Sequence, residues 1–389
     1  MKTALLALVA AAICLRAAAD VRPGPGYVIT DLGPLQTTQY GYVERGAFAL
    51  NDAGQVVGGD TRAFLWSDGE KTDLGALPEE GPEDFAFSVA YGINNCGQVV
   101  GNSGSFGPIF MSGLQFSRGI LYENGGLRQL TQQNASFKPY AINDRGQVVG
   151  LNAYRGFLYE NGRLLPLGTL SHVPVGNRST ARAVSNAGQV VGWSTVNAGT
   201  SGPPYGAIDH PVKRQGKWVA ETVQRVPTRT FFTHACLWRV SGKAIRSRDL
   251  GTLRGWANSY AYGINDRGKI IGSVSNAKGR PYGVDTDKED MDRRVEAFLW
   301  GGDKMMGLGT LPGCRDSEAY GINNSDAIVG SSGHRAFVWQ SGKMQDLNVL
   351  LPAASGWILE EARAINNKGQ IAGSGTRDGQ PHAFLLTPR

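Results

Sequence analysis

Histidine, tyrosine and arginine residues that escape the regular patterning of this chain are the groups from which chemistry could be built. His172, His210, Tyr205 and Arg178 lie off its repeating phrases, with Arg182 close by in sequence. A His or Tyr base beside an Arg that neutralises a carboxylate is what a lyase or hydrolase of an acidic polysaccharide would use, so these are the candidates for that reaction. Nothing in their spacing sets a separation, and no nucleophile elbow, zinc-binding helix or phosphate loop is present. No catalytic role is therefore assigned, and the reading leans away from an enzyme.

Binding chemistry has its own candidates. Tyr205, Trp218 and Trp256 present aromatic faces of the kind that stack on sugar rings. Phe48, Tyr91, Tyr140, Arg182, Tyr262, Tyr320 and Arg363 each stand three residues ahead of a recurring turn position. Side chains alternate along a strand, so these seven share one side of seven equivalent strands, and Arg182 and Arg363 become candidate anion contacts. Asp285, Asp287, Glu289, Asp290 and Asp292 crowd one loop and could wrap a hard cation such as Ca²⁺. Lys288, Arg293 and Arg294 offset that charge, so a solvated loop is the plainer expectation and calcium is the one cofactor left open.

The elements that must hold these residues repeat. A phrase of Ile-Asn or its equivalent, turn residues and Gly-x-Val-Val-Gly recurs at residues 49–58, 92–101, 141–150, 183–192, 263–272, 321–330 and 364–373. Each copy is followed by an aromatic-ended run such as RAFLW (62–66) or HACLW (234–238), and then by a phrase such as KTDLGAL (71–77) or RSRDLGTL (246–253). A period of roughly 40–50 residues means stacked supersecondary units, and four short β-type runs per unit make a propeller blade. The expectation is all-β: a seven-bladed β-propeller of four-stranded blades, strands A to D in chain order. Asn-Asp-Arg-Gly (265–268) is a type I turn plus a Gly able to take positive φ, so A and B form a tight hairpin, as do C and D. Asn at this turn bonds its own backbone, which is reason enough for its recurrence.

The last unit ends after HAFLL (382–386) without a D phrase, while GYVITDLGPL (26–35) is a D phrase with no A, B or C ahead of it. The N-terminal strand should therefore complete the seventh blade and close the ring. Expansion is confined to B–C connections, at 102–117, 194–233 and 273–295, which share one face of such a disk. The segment at about 196–233 carries a strand–Gly turn–strand pattern (207–223) and is expected to be a protruding hairpin.

Residues 1–19 have Lys2, an apolar run and Ala17-Ala18-Ala19, the pattern of a signal peptide. Residues 20–389 would then be one secreted domain, extracellular or periplasmic, with no membrane span. Of 39 basic residues, Lys2 and Arg16 fall in that leader, leaving 37 against 33 acidic ones, too slight an excess to imply nucleic acid. Cys96, Cys236 and Cys314 suggest no disulfide framework, and Cys236 takes the place of a Phe in the third phrase.

HAFLL, GKMQDLN, DLGTL and AYGINDRG resemble the probable extracellular HAF-repeat family, whose name-giving triplet stands here at His382-Ala383-Phe384. The resemblance covers nearly all of the chain after the leader and implies a secreted, mostly bacterial repeat protein, with no catalytic residues to carry over. Most copies depart from the triplet, with Arg, Glu or Cys substituted, which argues that it packs rather than reacts. The expected function is a non-catalytic monomeric propeller that binds an extracellular glycan or protein through its insert-rich face. A carbohydrate-active enzyme and a structural cell-surface component are the alternatives.

Overall fold

The computed structural model describes residues 26–36, 44–78, 86–105, 116–131, 137–171, 177–200, 209–214, 217–222, 229–242, 244–277, 280–281, 294–352 and 355–389. Seven antiparallel four-stranded sheets are arranged as a seven-bladed β-propeller, with no α-helix among the described residues. In the sixth blade, for example, strands A to D are Ser317–Ile322, Ile328–Ser332, Arg335–Gln340 and Lys343–Asp346. The proposed leader, residues 1–19, lies outside the described residues.

Closure follows the expected route. Tyr27–Pro34 pairs antiparallel with Gln380–Pro388, Ile29 opposite Leu386 and Asp31 opposite Phe384, and supplies strand D of the seventh blade. Asp31 Oδ1 lies 2.8 Å from His382 Nδ1, and Asp31 also takes a bond from Arg377, so this closing strand is held by charge as well as by its ladder.

Packing is as circular as the strand order. Seven apolar clusters occupy the seven junctions between neighbouring blades. The cluster that joins the seventh blade to the first contains Leu32 and Leu35 from the N-terminal segment together with Ala47, Val56, Ala372 and Leu385. Each fully buried Leu, Phe or Ile is worth about 1.5–3 kcal/mol, so no blade can give up a neighbour cheaply.

The recurring Gly of the Val-Val-Gly phrase has a steric cause. Strand A carries a β-bulge at the same place in all seven blades, for instance between Ala90 and Gly92 against Gly101 and Val100. The others lie at Ala47/Ala49, Pro139/Ala141, Ala181/Ala183, Ala261/Gly263, Ala319/Gly321 and Ala362/Ala364. Strand B passes so close to the bulge that a Cβ on Gly101 would overlap the carbonyl oxygen of Val89.

Two features of the inserts differ from expectation in detail. The hairpin is real, but it comprises Asp209–Arg214 and Lys217–Thr222 only, as a two-stranded sheet of its own. Residues 196–200 and 229–233 instead continue strands B and C of the fourth blade, Gln189–Thr200 and Arg229–Ser241. That extension meets the fifth blade's insert, where Arg280 and Pro281 pair with Phe231 and Thr230.

Candidate ligand site on the channel wall

The bulge decides which side chain each blade turns toward the axis. An extra residue in one strand re-aims its side chain. In all seven strands the bulged residue is the one picked out by its spacing: Phe48, Tyr91, Tyr140, Arg182, Tyr262, Tyr320 and Arg363. All seven are half-buried. They touch in sequence around the wall: Phe48 and Tyr91 at 5.8 Å between ring centroids, Tyr91 and Tyr140 at 5.6 Å, and Tyr262 and Tyr320 at 6.0 Å.

The arginines complete the ring, in different electrostatic settings. Arg363 lies over the Tyr320 ring at 4.3 Å and its Nε donates to Glu361 at 2.7 Å. Burial alone would lower the pKa of Arg363, but Glu361, Tyr320 and Glu318 together raise it. Arg182 lies over Tyr140 at 4.2 Å and faces Trp193 at 5.8 Å. Among the described residues it has no carboxylate within ion-pair distance. Trp193 in turn packs edge-on against Tyr260 and Tyr262, at 5.6 and 6.1 Å, bridging the fourth and fifth blades.

The phenols are held neutral. Burial, above all, pushes Tyr91, Tyr140, Tyr262 and Tyr320 up from their ordinary value, with Glu44 or Glu318 adding to the effect. Tyr320 donates its hydroxyl proton to Glu318 at 2.7 Å. Such groups donate hydrogen bonds and stack, and they are poor bases near neutral pH.

The recurring Asn does more than make its turn. Asn94 Oδ1 accepts from the backbone of Cys96 and Gln98, at 3.1 and 2.9 Å, as the turn chemistry requires. Its Nδ2 also donates to the carbonyl of Asn143 in the next blade at 3.0 Å. Asn51, Asn143, Asn265, Asn323 and Asn366 do the same, and Asn366 closes the circle onto Asn51. Only Ser185, which has no amide to donate, interrupts the series toward the fifth blade. The following Asp or Asn forms a second circuit, with Asp52, Asn95, Asp144, Asn186, Asp266, Asn324 and Asn367 each accepting from the preceding blade's backbone.

Serines that repeat less regularly in sequence form a third set of latches. Ser88, Ser259 and Ser317 accept from the Ala of the preceding blade's strand C and donate to a carbonyl after its strand D. Sequence reasoning missed these latches, as it missed Trp193, Glu318 and Glu361; the Ser at strand A's start was the available signal for the first.

The His382-Ala383-Phe384 triplet packs. Ala383 and Phe384 are fully buried, and His382 sits edge-on to Trp357 at 5.8 Å. His234 pairs with Asp249 at 2.9 Å and Arg335 with Asp346 at 3.0 Å in the equivalent places. Because Arg serves where His does, this is a strand C to strand D ion pair away from the axis. Burial would raise the Asp31 and Asp249 carboxyls, but their His partners and the backbone N–H groups of Gly33 and Gly251 hold them below the usual range.

The remaining candidates are dispersed. His172, Tyr205 and Asp285, Asp287, Glu289, Asp290 and Asp292 lie outside the described residues. His210 and Trp218 belong to the hairpin, opposite Glu221 and Lys213. Trp256 is half-buried and packs against the apolar cluster between the fourth and fifth blades. Arg178 is exposed and lies over Tyr154 at 4.9 Å. Tyr154 itself, 64% exposed in a B–C turn on the insert side, escaped notice in the sequence. Cys236 is buried, and burial, with Asp249 adding to it, pushes its thiol up.

No protein family matches the chain, and no curated relative does. Among solved structures it is similar to the extracellular domain of a one-component system of B. thetaiotaomicron, at 7% identity and a TM-score of 0.49, over 92% of this chain and 39% of that one. This chain thus spans about two fifths of that protein's length. It is also similar to a gluconolactonase of Xanthomonas campestris, at 14% identity and a TM-score of 0.37 over 95% and 99% of the two chains. An ulvan lyase shares 11% identity and a TM-score of 0.42 over 94% and 96%. Likeness at this level assigns neither substrate nor reaction to this chain.

Proposed function

We propose that this protein is a secreted, non-catalytic propeller that binds an extracellular glycan at the insert-rich mouth of its channel. The ring of half-buried aromatics around the channel carries this reading. Tyrosine faces offer stacking area, and their neutral hydroxyls offer hydrogen bonds, the two contacts a sugar ring uses. Antiparallel pairing puts the strand ends that flank all B–C and D–A connections at one end of the disk, so the three expanded connections leave from that end while tight turns occupy the other. Phenols pushed up by burial favour binding over proton abstraction. The HAF-repeat resemblance and the leader at residues 1–19 fit secretion.

The test is incubation of the purified protein with immobilised and soluble polysaccharides, following both retention and the appearance of unsaturated or reducing ends. Retention with no new ends is expected. New ends would make the protein a carbohydrate-active enzyme, and no retention on any glycan would leave a protein ligand or a structural surface role.

A further inference from the structure

We propose that Arg182 is the anchor for a carboxylate, and that the glycan bound is therefore a uronate-containing one; this rests on the glycan-binding reading above. The two guanidiniums of the ring differ in one decisive respect. Glu361 already neutralises Arg363. Arg182 has aromatic walls on its flanks, Tyr140 at 4.2 Å and Trp193 at 5.8 Å, and no ion pair among the described residues. Cation–π contact compensates part of the cost of keeping a half-buried cation, and although the guanidinium donates to the Tyr140 hydroxyl, the other N–H donors of its planar fork are left for an oxyanion. A carboxylate suits that fork because two parallel N–H···O bonds can form.

The sector of the ring points to a sugar as the bearer of that carboxylate. Tyr140, Trp193, Tyr260 and Tyr262 bring aromatic surface to the wall on both sides of Arg182. Three carboxylates share the ring: Glu44 acts on Tyr91 and Tyr140, Glu318 bonds Tyr320 and acts on Tyr262, and Glu361 pairs with Arg363, so none of them is within ion-pair distance of Arg182 among the described residues. Trp193 lies on Gln189–Thr200, whose outer end is extended and pairs with Arg229–Ser241, and Thr230 and Phe231 of that partner strand meet the fifth blade's insert. The extended strands thus belong to the same blade as the cation that has no ion pair among the described residues.

Calorimetry on the full chain decides the matter, with oligogalacturonate, oligoalginate and oligoglucuronan as probes and their methyl esters as uncharged controls. At least one free acid should bind, its methyl ester at least about tenfold more weakly, since a charge-assisted bond contributes about 1.5–3 kcal/mol. Arg182→Gln should lose about tenfold or more for the free acid and nothing further for the ester. Arg182→Lys should recover part of the loss, and Lys368→Gln, in an exposed turn on the opposite face, should change nothing. Thermal melting of each variant checks that the ring is intact. Equal binding of acid and ester, or an Arg182→Gln protein that melts normally and binds the acid as before, overturns the carboxylate assignment while leaving a neutral-glycan module standing. Binding of poly-glutamate as tightly as the uronates overturns the sugar assignment. Failure of all three acids to bind overturns the inference, and retention of neutral glycans in the same experiment shows whether the broader reading falls with it.

Discussion

A methyl group on Gly101 would strike the Val89 carbonyl, and the same clash awaits any side chain at Gly58, Gly192, Gly272 or Gly330. These glycines are required by a close approach of backbones, whereas Gly69 in its tight turn is required by the sign of φ alone. The two causes can be separated. Gly101→Ala should cost about 3 kcal/mol, the upper range for overpacking, because backbone cannot step aside as a side chain does. Gly69→Ala, at φ +91° in a turn with open space around it, should cost only about 1 kcal/mol. Urea unfolding of both variants gives the comparison, and equal losses would mean that the bulge does not set the requirement at Gly101. The bulge also explains why the channel residues were visible as a set: one added residue per strand A keeps the offset from the Asn turn constant.

Among the elements, the closing strand and the hairpin make opposite predictions. Asp31 joins the N-terminal strand to His382 and Arg377, and its carboxyl is held below the ordinary range. A carboxylate with a depressed folded-state pKa adds stability in full above its unfolded value near 3.8, and that stability is lost as pH falls through the folded value. The wild type should therefore exceed Asp31→Asn in denaturant midpoint at pH 7, with the gap closing only below about pH 4. A gap that stays constant down to pH 2 would show that the charge at Asp31 is not what holds the strand. The hairpin has no such duty, since among the described residues its two strands pair only with each other. Replacing residues 201–228 by a short Gly-Ser linker should leave the melting temperature nearly unchanged while weakening glycan retention. Residues 196–200 and 229–233 must stay, because they are ladder strands of the fourth blade.

For the whole molecule, the asparagine circuit turns seven hairpins into a ring with one gap. Asn143 donates to Ser185, but Ser185 has no amide to pass on to Asn265. Ser185→Asn should restore that bond and raise stability by about 1 kcal/mol in chemical denaturation, the net worth of a buried hydrogen bond. Asn323→Ala, which breaks a bond at an intact junction, should lower stability by a comparable or larger amount. If Ser185→Asn is neutral or destabilising, the junction between the fourth and fifth blades is already satisfied by Asn186 and Asp266. By itself the sequence was sufficient for the blade count, strand order, hairpin turns and N-terminal closure, because each is a local or periodic property that survives without knowing any distant contact. It also marked the seven channel positions, including Arg182 and Arg363, through their constant offset from the turn. Only the tertiary structure decided that Arg363 has a neutralising carboxylate while Arg182 has none among the described residues, that Trp256 packs against the cluster between the fourth and fifth blades, and that the turn asparagines and strand serines bond across blades. Those outcomes depend on which side chains neighbouring blades bring within about 3 Å of one another, and that is set by the bulges and by the closing of the ring.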